Sequence, residues 1–233
     1  MSGLELQGVV LAQLGFRLTA DLTVPKGATV AVIGPSGAGK STLISAIAGF
    51  FPPASGRILW DGADIGALPP GKRPLTVLFQ DQNLFPHLAV AQNLGLGLSP
   101  QLKLTPADRD RIAAALDRVG LAGLGTRRPG ELSGGQASRA ALARALLRAR
   151  PMLLLDEPFA ALGPGLKAEM LDLVAEVAGE TGATVLVVTH DPTDARRIAP
   201  LTLLVADGVA HPPAPTGPLL DNPPPALAAY LGR

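Results

Sequence analysis

The stretch AVIGPSGAGKSTLISAIAGF, residues 31–50, decides the fold. An apolar run ends at Gly34, and GPSGAGKST, residues 34–42, then fits the spacing G-x-x-x-x-G-K-[ST] ahead of an apolar helical segment. Strand, glycine loop and helix in that order let backbone N–H groups converge on phosphate oxygens at a helix N-terminus. Gly34, Pro35, Ser36, Gly37, Ala38, Gly39, Lys40, Ser41 and Thr42 therefore form a candidate phosphate loop. Its amides cradle the β- and γ-phosphates, Lys40 supplies a cation and the Ser41 hydroxyl is a ligand for Mg²⁺. A glycine turn entering an ordinary helix is the plain alternative, and the strand before the loop argues against it.

Outward from this loop, short β-branched or leucine-rich runs recur at 28–34, 73–80, 151–157 and 183–190, which predicts an α/β fold around a mainly parallel sheet. LTLLVADGVA, 201–210, predicts a hairpin turning at Asp207-Gly208. Between the second and third runs the texture turns helical. In TPADRDRIAAALDRVGL, 105–121, Thr105 is placed to cap, Pro106 takes the first helical position and Asp108 suits the N-terminal dipole. Residues 81–150 are expected to form a helical subdomain inserted into a core of residues 1–80 and 151–210. The proline-rich tail 211–233 is expected to be a loop with a short terminal helix.

Composition narrows the function. The chain has 233 residues, 20 basic against 19 acidic, for a formal charge of +1 without a basic block, so nothing argues for a nucleic-acid partner. The absence of cysteine removes disulfides, thiol catalysis and cysteine-based zinc sites, and fits a reducing compartment. Although 47% of residues are hydrophobic, no apolar run approaches the ~18 residues of a membrane span. The N-terminus has no basic leader, which predicts a cytoplasmic chain.

Three further sites carry chemistry. MLLLDE, 152–157, ends a strand in two carboxylates. Asp156 can reach the Mg²⁺ shell, and Glu157 is the candidate general base or water-orienting group. Gln80 and His190 close two other strands, so Gln80 can meet Mg²⁺ or the water, and His190 can donate to the γ-phosphate as its charge spreads. Asp191 and Pro192 after it start a helix. Finally, ELSGGQASRAALARAL, 131–146, opens a helix with two glycines. Ser133 and Gln136 make a capping box, while Gly134 and Gly135 leave amides approachable by an anion. No Asn/Lys-x-Asp guanine-reading motif is found, which favours ATP over GTP.

Taken in order, GPSGAGKST, Gln80, LSGGQ, MLLLDE and His190 resemble the Walker A, Q-loop, signature, Walker B and switch histidine of the nucleotide-binding subunits of ABC transporters, over nearly the whole chain. The resemblance implies a P-loop ATPase core with an inserted helical subdomain and Mg²⁺-dependent ATP hydrolysis. It further implies a head-to-tail homodimer in which Ser133 and the Gly134 and Gly135 amides of one copy close on ATP held by the other. The implied partners are membrane-spanning permease subunits, docking near residues 81–100, and indirectly a periplasmic solute-binding protein. The implied location is the cytoplasmic face of the bacterial inner membrane. IAGFFPPASGRILWDG (47–62), VLFQDQNLFPHLAVAQNLGLGLSPQLKL (77–104) and LLVADG (203–208) are similar to the ATPase subunits of bacterial thiamine importers.

Three departures from the family pattern set further expectations. The D-loop reads AALG, with Gly163 where aspartate is usual, so hydrolysis is expected to be slower or less coupled. The adenine-stacking aromatic is missing, since the matching region offers Gln13 or Leu14 and Phe16 lies further along. Ala137 and Ser138 after the signature are expected on a helix surface. The rival classes are a soluble ABC-type ATPase acting on DNA or ribosomes, and a degenerate regulatory module. The first lacks its usual cysteines, coiled coil or second cassette here.

Overall fold

The computed structural model describes residues 3–13, 15–79, 84–160 and 162–232. The chain opens with β1 (Gly3–Gln13) and β2 (Phe16–Pro25), and β3 (Thr29–Ile33) then leads to α1 (Lys40–Ala48). Next come β4 (Ser55–Trp60), β5 (Ala63–Asp64), β6 (Leu75–Leu78) and three helices, α2 (Val90–Gly95), α3 (Pro106–Arg118) and α4 (Gly134–Leu147). Strand and helix alternate through β7 (Met152–Asp156), α5 (Pro164–Thr181), β8 (Thr184–Val188), α6 (Pro192–Ile198) and β9 (Leu201–Ala206). The end is β10 (Val209–Ala210), β11 (Ala214–Pro215), α7 (Thr216–Asp221) and α8 (Pro225–Tyr230).

The apolar runs make the parallel half of the sheet, in the order β9-β3-β8-β7-β6. All of Thr184 to Val188 is buried, as a strand covered on both faces must be. Register aligns the strand ends: Val32 pairs with Val188, and Val188 with Asp156. The loops leaving β3, β7 and β8 therefore emerge together at the carboxyl edge, where an open α/β sheet forms its ligand crevice. The hairpin turns where expected, Val209 pairing with Ala206.

The other half of the sheet is antiparallel, β5-β4-β1-β2, joined to the first through β10, so the whole is mixed rather than mainly parallel. A bulge between Leu6 and Val9, at Gly8, interrupts the alternation of β1 and hides the strand from a periodicity reading. α1 is buried in a core shared with β1, β2 and β4, while α4 and α5 fill the core of the opposite face. Arg73, only 2% exposed, fastens the far end of α1. Its guanidinium donates to the carbonyls of Ala46 (2.8 Å), which also accepts from the Gly49 N–H, and Ile47 (2.7 Å), at the negative end of the helix.

The predicted capping box at Ser133 forms, and the expected cap at Thr105 proves to be a capping box as well. Thr105 accepts from the Asp108 N–H while Asp108 accepts from the Thr105 N–H, and Ser133 and Gln136 do the same. The tail departs from expectation. Instead of a loop and one helix it adds β11 to β9 and forms two short helices, because Pro225 stands at a first helical position, where a missing N–H costs nothing. Among the described residues no helix is long and apolar enough to cross a membrane.

Candidate active site

The loop after β3 is shaped by close backbone approach. A side chain at Gly34 would place Cβ 2.0 Å from the Val205 carbonyl oxygen of β9, so only glycine lets the chain turn there. Gly39 precedes α1 with φ of 105°, and no side chain caps the helix, which leaves its first amides facing the loop. Lys40, 8% exposed, donates to the carbonyls of Gly34 (2.8 Å) and Pro35 (2.9 Å), which fixes its ammonium inside the loop. Burial lowers its pKa, against the opposing fields of Glu157 and Asp156.

Ser41 Oγ donates to Asp156 Oδ1 at 3.0 Å and so joins the loop to the end of β7. Burial raises the Asp156 carboxyl, offset by the Ser41 hydrogen bond. This pair of hard oxygen donors fits Mg²⁺, which takes one or two protein oxygens and completes its shell with phosphate and water. Among the described residues there is no cluster of three or more His, Cys, Asp or Glu able to hold a metal.

Glu157 has φ of 45°, left-handed and uncommon for a side chain of its size. Its N–H donates to Val188 O, and its carboxylate Oε2 lies 3.5 Å from His190 Nδ1. Such backbone strain is found preferentially at functional sites, so Glu157 stays a candidate. His190 follows β8 with its side chain 60% exposed, while its backbone belongs to a bonded turn. The Asp191 N–H donates to Thr189 Oγ1, whose own proton goes to Asp194. Lys167 of α5 bridges Asp191 and Asp194 at 3.0 and 2.9 Å.

The sequence-predicted loop residues, Asp156, Glu157 and His190 are thus brought to one edge. Gln80 lies outside the described residues. Ser133, Gly134, Gly135 and Gln136 stand apart at the start of α4, where a Cβ on Gly135 would come within 3.1 Å of Leu166 and 3.3 Å of Leu162 while one on Gly134 meets nothing. Ser138 is not on the helix surface: it is 1% exposed and donates to Gly134 O, a turn back along α4. Gly163 is the N-cap of α5 without a side-chain bond, and glycine caps only a few tenths of a kcal/mol less well than aspartate. The lost carboxylate therefore costs the helix little.

Phe16 is nearer than its position in the sequence suggests. A Cβ on Gly39 would fall 2.6 Å from its Cζ, so the ring lies against the phosphate loop. Gln13 is exposed at the end of β1, and Leu14 lies outside the described residues. Sequence reasoning missed Arg73 and Asn93 as well. The fully buried Asn93 amide accepts from the Phe85 N–H (2.7 Å) and donates to the carbonyls of Phe85, Leu88 and Ala89, ordering the turn ahead of α2. A buried amide looks the same as a surface one in sequence.

A family model described as ABC transporter matches residues 19–160. The chain is 67% identical over 229 residues, 98% of its length and 99% of the relative's, to the thiamine import ATP-binding protein ThiQ of Cereibacter sphaeroides. It is 59% identical, with the same coverage, to the protein of that name from Ruegeria sp.. Among solved structures it is similar to a dimeric ATP-binding cassette in a post-hydrolysis state bound to ADP and Pi. That likeness has a TM-score of 0.81 and 28% identity, and covers 91% of this chain and 98% of the other.

Proposed function

The chain belongs to the ABC transporter family, and from that premise we propose that it is the ATP-hydrolysing subunit of an importer that energises uptake of thiamine through separate membrane subunits. The observation that carries the hydrolytic part is the junction of Ser41 with Asp156 beneath the phosphate loop, with Glu157 and His190 at its rim. The thiamine part is supported by the 67% identity across nearly the full length of a thiamine import ATP-binding protein. We take residues 1–233 as one ATP-binding domain: the core at 1–80 and 151–210, the helical subdomain at 81–150 and the tail at 211–233.

ATP enters with its phosphates on the amides of the Gly34–Thr42 loop, at the positive end of α1. Lys40 neutralises charge on the β- and γ-phosphates. Ser41 and Asp156, with Gln80, would hold Mg²⁺, which when bound draws charge from the same oxygens. Glu157 orients the attacking water and takes its proton, and His190 donates to the γ-phosphate as the charge spreads. In a two-fold dimer the Ser133 hydroxyl and the amides of Gly134 and Gly135 of the second copy, with Gln136 completing the cap, close on that phosphate. Water adds to the γ-phosphorus, the bond to ADP breaks and phosphate leaves. The head-to-tail dimer then loses the ATP that holds it together.

The membrane subunits are assigned to an open cleft of about 740 Å³ between β6 and α4, lined by Leu78, Phe85 and Leu98 on one side and Arg144, Arg148 and Arg150 on the other. It takes in part of the 81–100 stretch and lies away from the phosphate loop. On this proposal the chain works at the cytoplasmic face of the inner membrane as a peripheral subunit, with a periplasmic solute-binding protein acting through the permease and no nucleic acid involved.

Glu157→Gln with ATP tests the motor: it should accumulate a dimer on size exclusion that wild type does not. A monomer throughout, together with absent wild-type turnover, rejects it. ATPase assay of the assembled complex with thiamine-loaded binding protein tests the solute. Stimulation by a different solute and not by thiamine overturns the substrate and leaves hydrolysis standing.

A further inference from the structure

Tyr230, the only tyrosine in the chain, sits on the last helix, 40 residues beyond the site it touches. Its hydroxyl donates to the backbone carbonyl of His190 at 2.7 Å. That carbonyl and the Asp191 N–H belong to one peptide unit, and the N–H already donates to Thr189 Oγ1 at 3.1 Å. The peptide plane that carries the His190 side chain is therefore held at both polar ends, by Thr189 from within the turn and by Tyr230 from the tail. The imidazole itself is exposed and reaches Glu157 Oε2 at 3.5 Å, so what aims it is its backbone.

We propose that Tyr230 is a positioning residue for ATP hydrolysis, fixing the His190 peptide so that the imidazole stands beside Glu157 over the phosphate loop. The proposal rests on the role given to His190 above. The ring packs against the hydrophobic core, which anchors the hydroxyl, and Lys167 fastens the other side of the same turn through Asp191 and Asp194. Burial, then the negative charges of Glu157 and Asp191, raise the phenol pKa, so the hydroxyl stays a donor across the working pH range. A tail that looks like a proline-rich extension thereby reaches the reacting end of the molecule.

Tyr230→Phe keeps the ring and removes only the hydroxyl. It should lower kcat for ATP about two- to tenfold, the effect of one lost hydrogen bond, with KM unchanged and only a small fall in melting temperature. In a His190→Ala background the same change should have no further effect, since the group it positions is gone. Tyr230→Leu, which also removes the ring, should lower the melting temperature as well. Wild-type kcat for Tyr230→Phe beside a slow His190→Ala overturns the positioning role and leaves His190 in place. An additive loss in the double variant, tracking the melting temperature, makes Tyr230 a packing residue only. A wild-type rate for His190→Ala removes the role of His190 and that of Tyr230 with it.

Discussion

Gly34 and Gly134 each stand at the edge of a loop that opens a helix. A methyl group on the first would lie 2.0 Å from the Val205 carbonyl oxygen, whereas one on the second would meet nothing within 4 Å among the described residues. Lys40 of the first loop is bonded to two carbonyls of its own chain, and Ser41 to Asp156. In the second, Ser133 and Gln136 satisfy each other's backbone. The fold itself demands the first glycine. Among the described residues nothing fills the space beside the second, which is the room that a phosphate from another copy needs under the proposed function.

The largest expected effect breaks or keeps this contrast outright. Lys40→Ala and Gly134→Asp should each be inactive as pure proteins. Mixed, they form dimers in which the intact loop of one copy meets the intact signature of the other, and turnover returns. A mixture as dead as its parts means that each signature serves its own chain. Stability sharpens the point, because the two glycines should respond with opposite signs. Gly34→Ala must displace backbone and should cost about 2–3 kcal/mol, a fall in melting temperature of roughly 5–10 °C. Gly134→Asp adds a negative charge at the positive end of α4 and should gain about 0.3–1 kcal/mol in thermal unfolding, while lowering kcat by ~10²-fold or more.

The two regions were unequally legible in sequence for the same reason. A loop fixed by its own chain leaves a complete pattern: an apolar strand, spaced glycines, a lysine and, far downstream, the Asp156 that answers Ser41. Helix caps are local, and those at Thr105 and Ser133 were legible, although the return bond from the Thr105 N–H to Asp108 was not foreseen. What depended on distant neighbours stayed hidden. The β1 strand is broken in period by its bulge, Phe16 reaches Gly39 only once β1 and β2 pair, and Ser138 is buried because its face of α4 turns inward. The left-handed Glu157 has no mark in sequence at all. In the tail, prolines suggest a loop until their first-turn positions show that they start helices.

Acid separates the two regions more finely. Burial would raise the Asp191 carboxyl, but hydrogen bonds from Thr193 and Lys167 prevail and hold it at about 2, below the usual 3.8. With the folded pKa lowered, the stabilisation is complete above about pH 4 and is lost as pH falls towards 2. Asp191 caps α6 beside His190, so amide exchange at Thr193, which donates to it at 2.9 Å, should accelerate over that window. The Gln136 amide, held by the unionisable Ser133, should show no such step. Asp191→Asn keeps a capping oxygen but loses the charge that Lys167 meets, and should flatten the acid limb while leaving α4 unchanged. If Gln136 loses protection together with Thr193, the signature end is not independent of the switch end. The two half-sites would then already be coupled within one chain, before any second copy arrives.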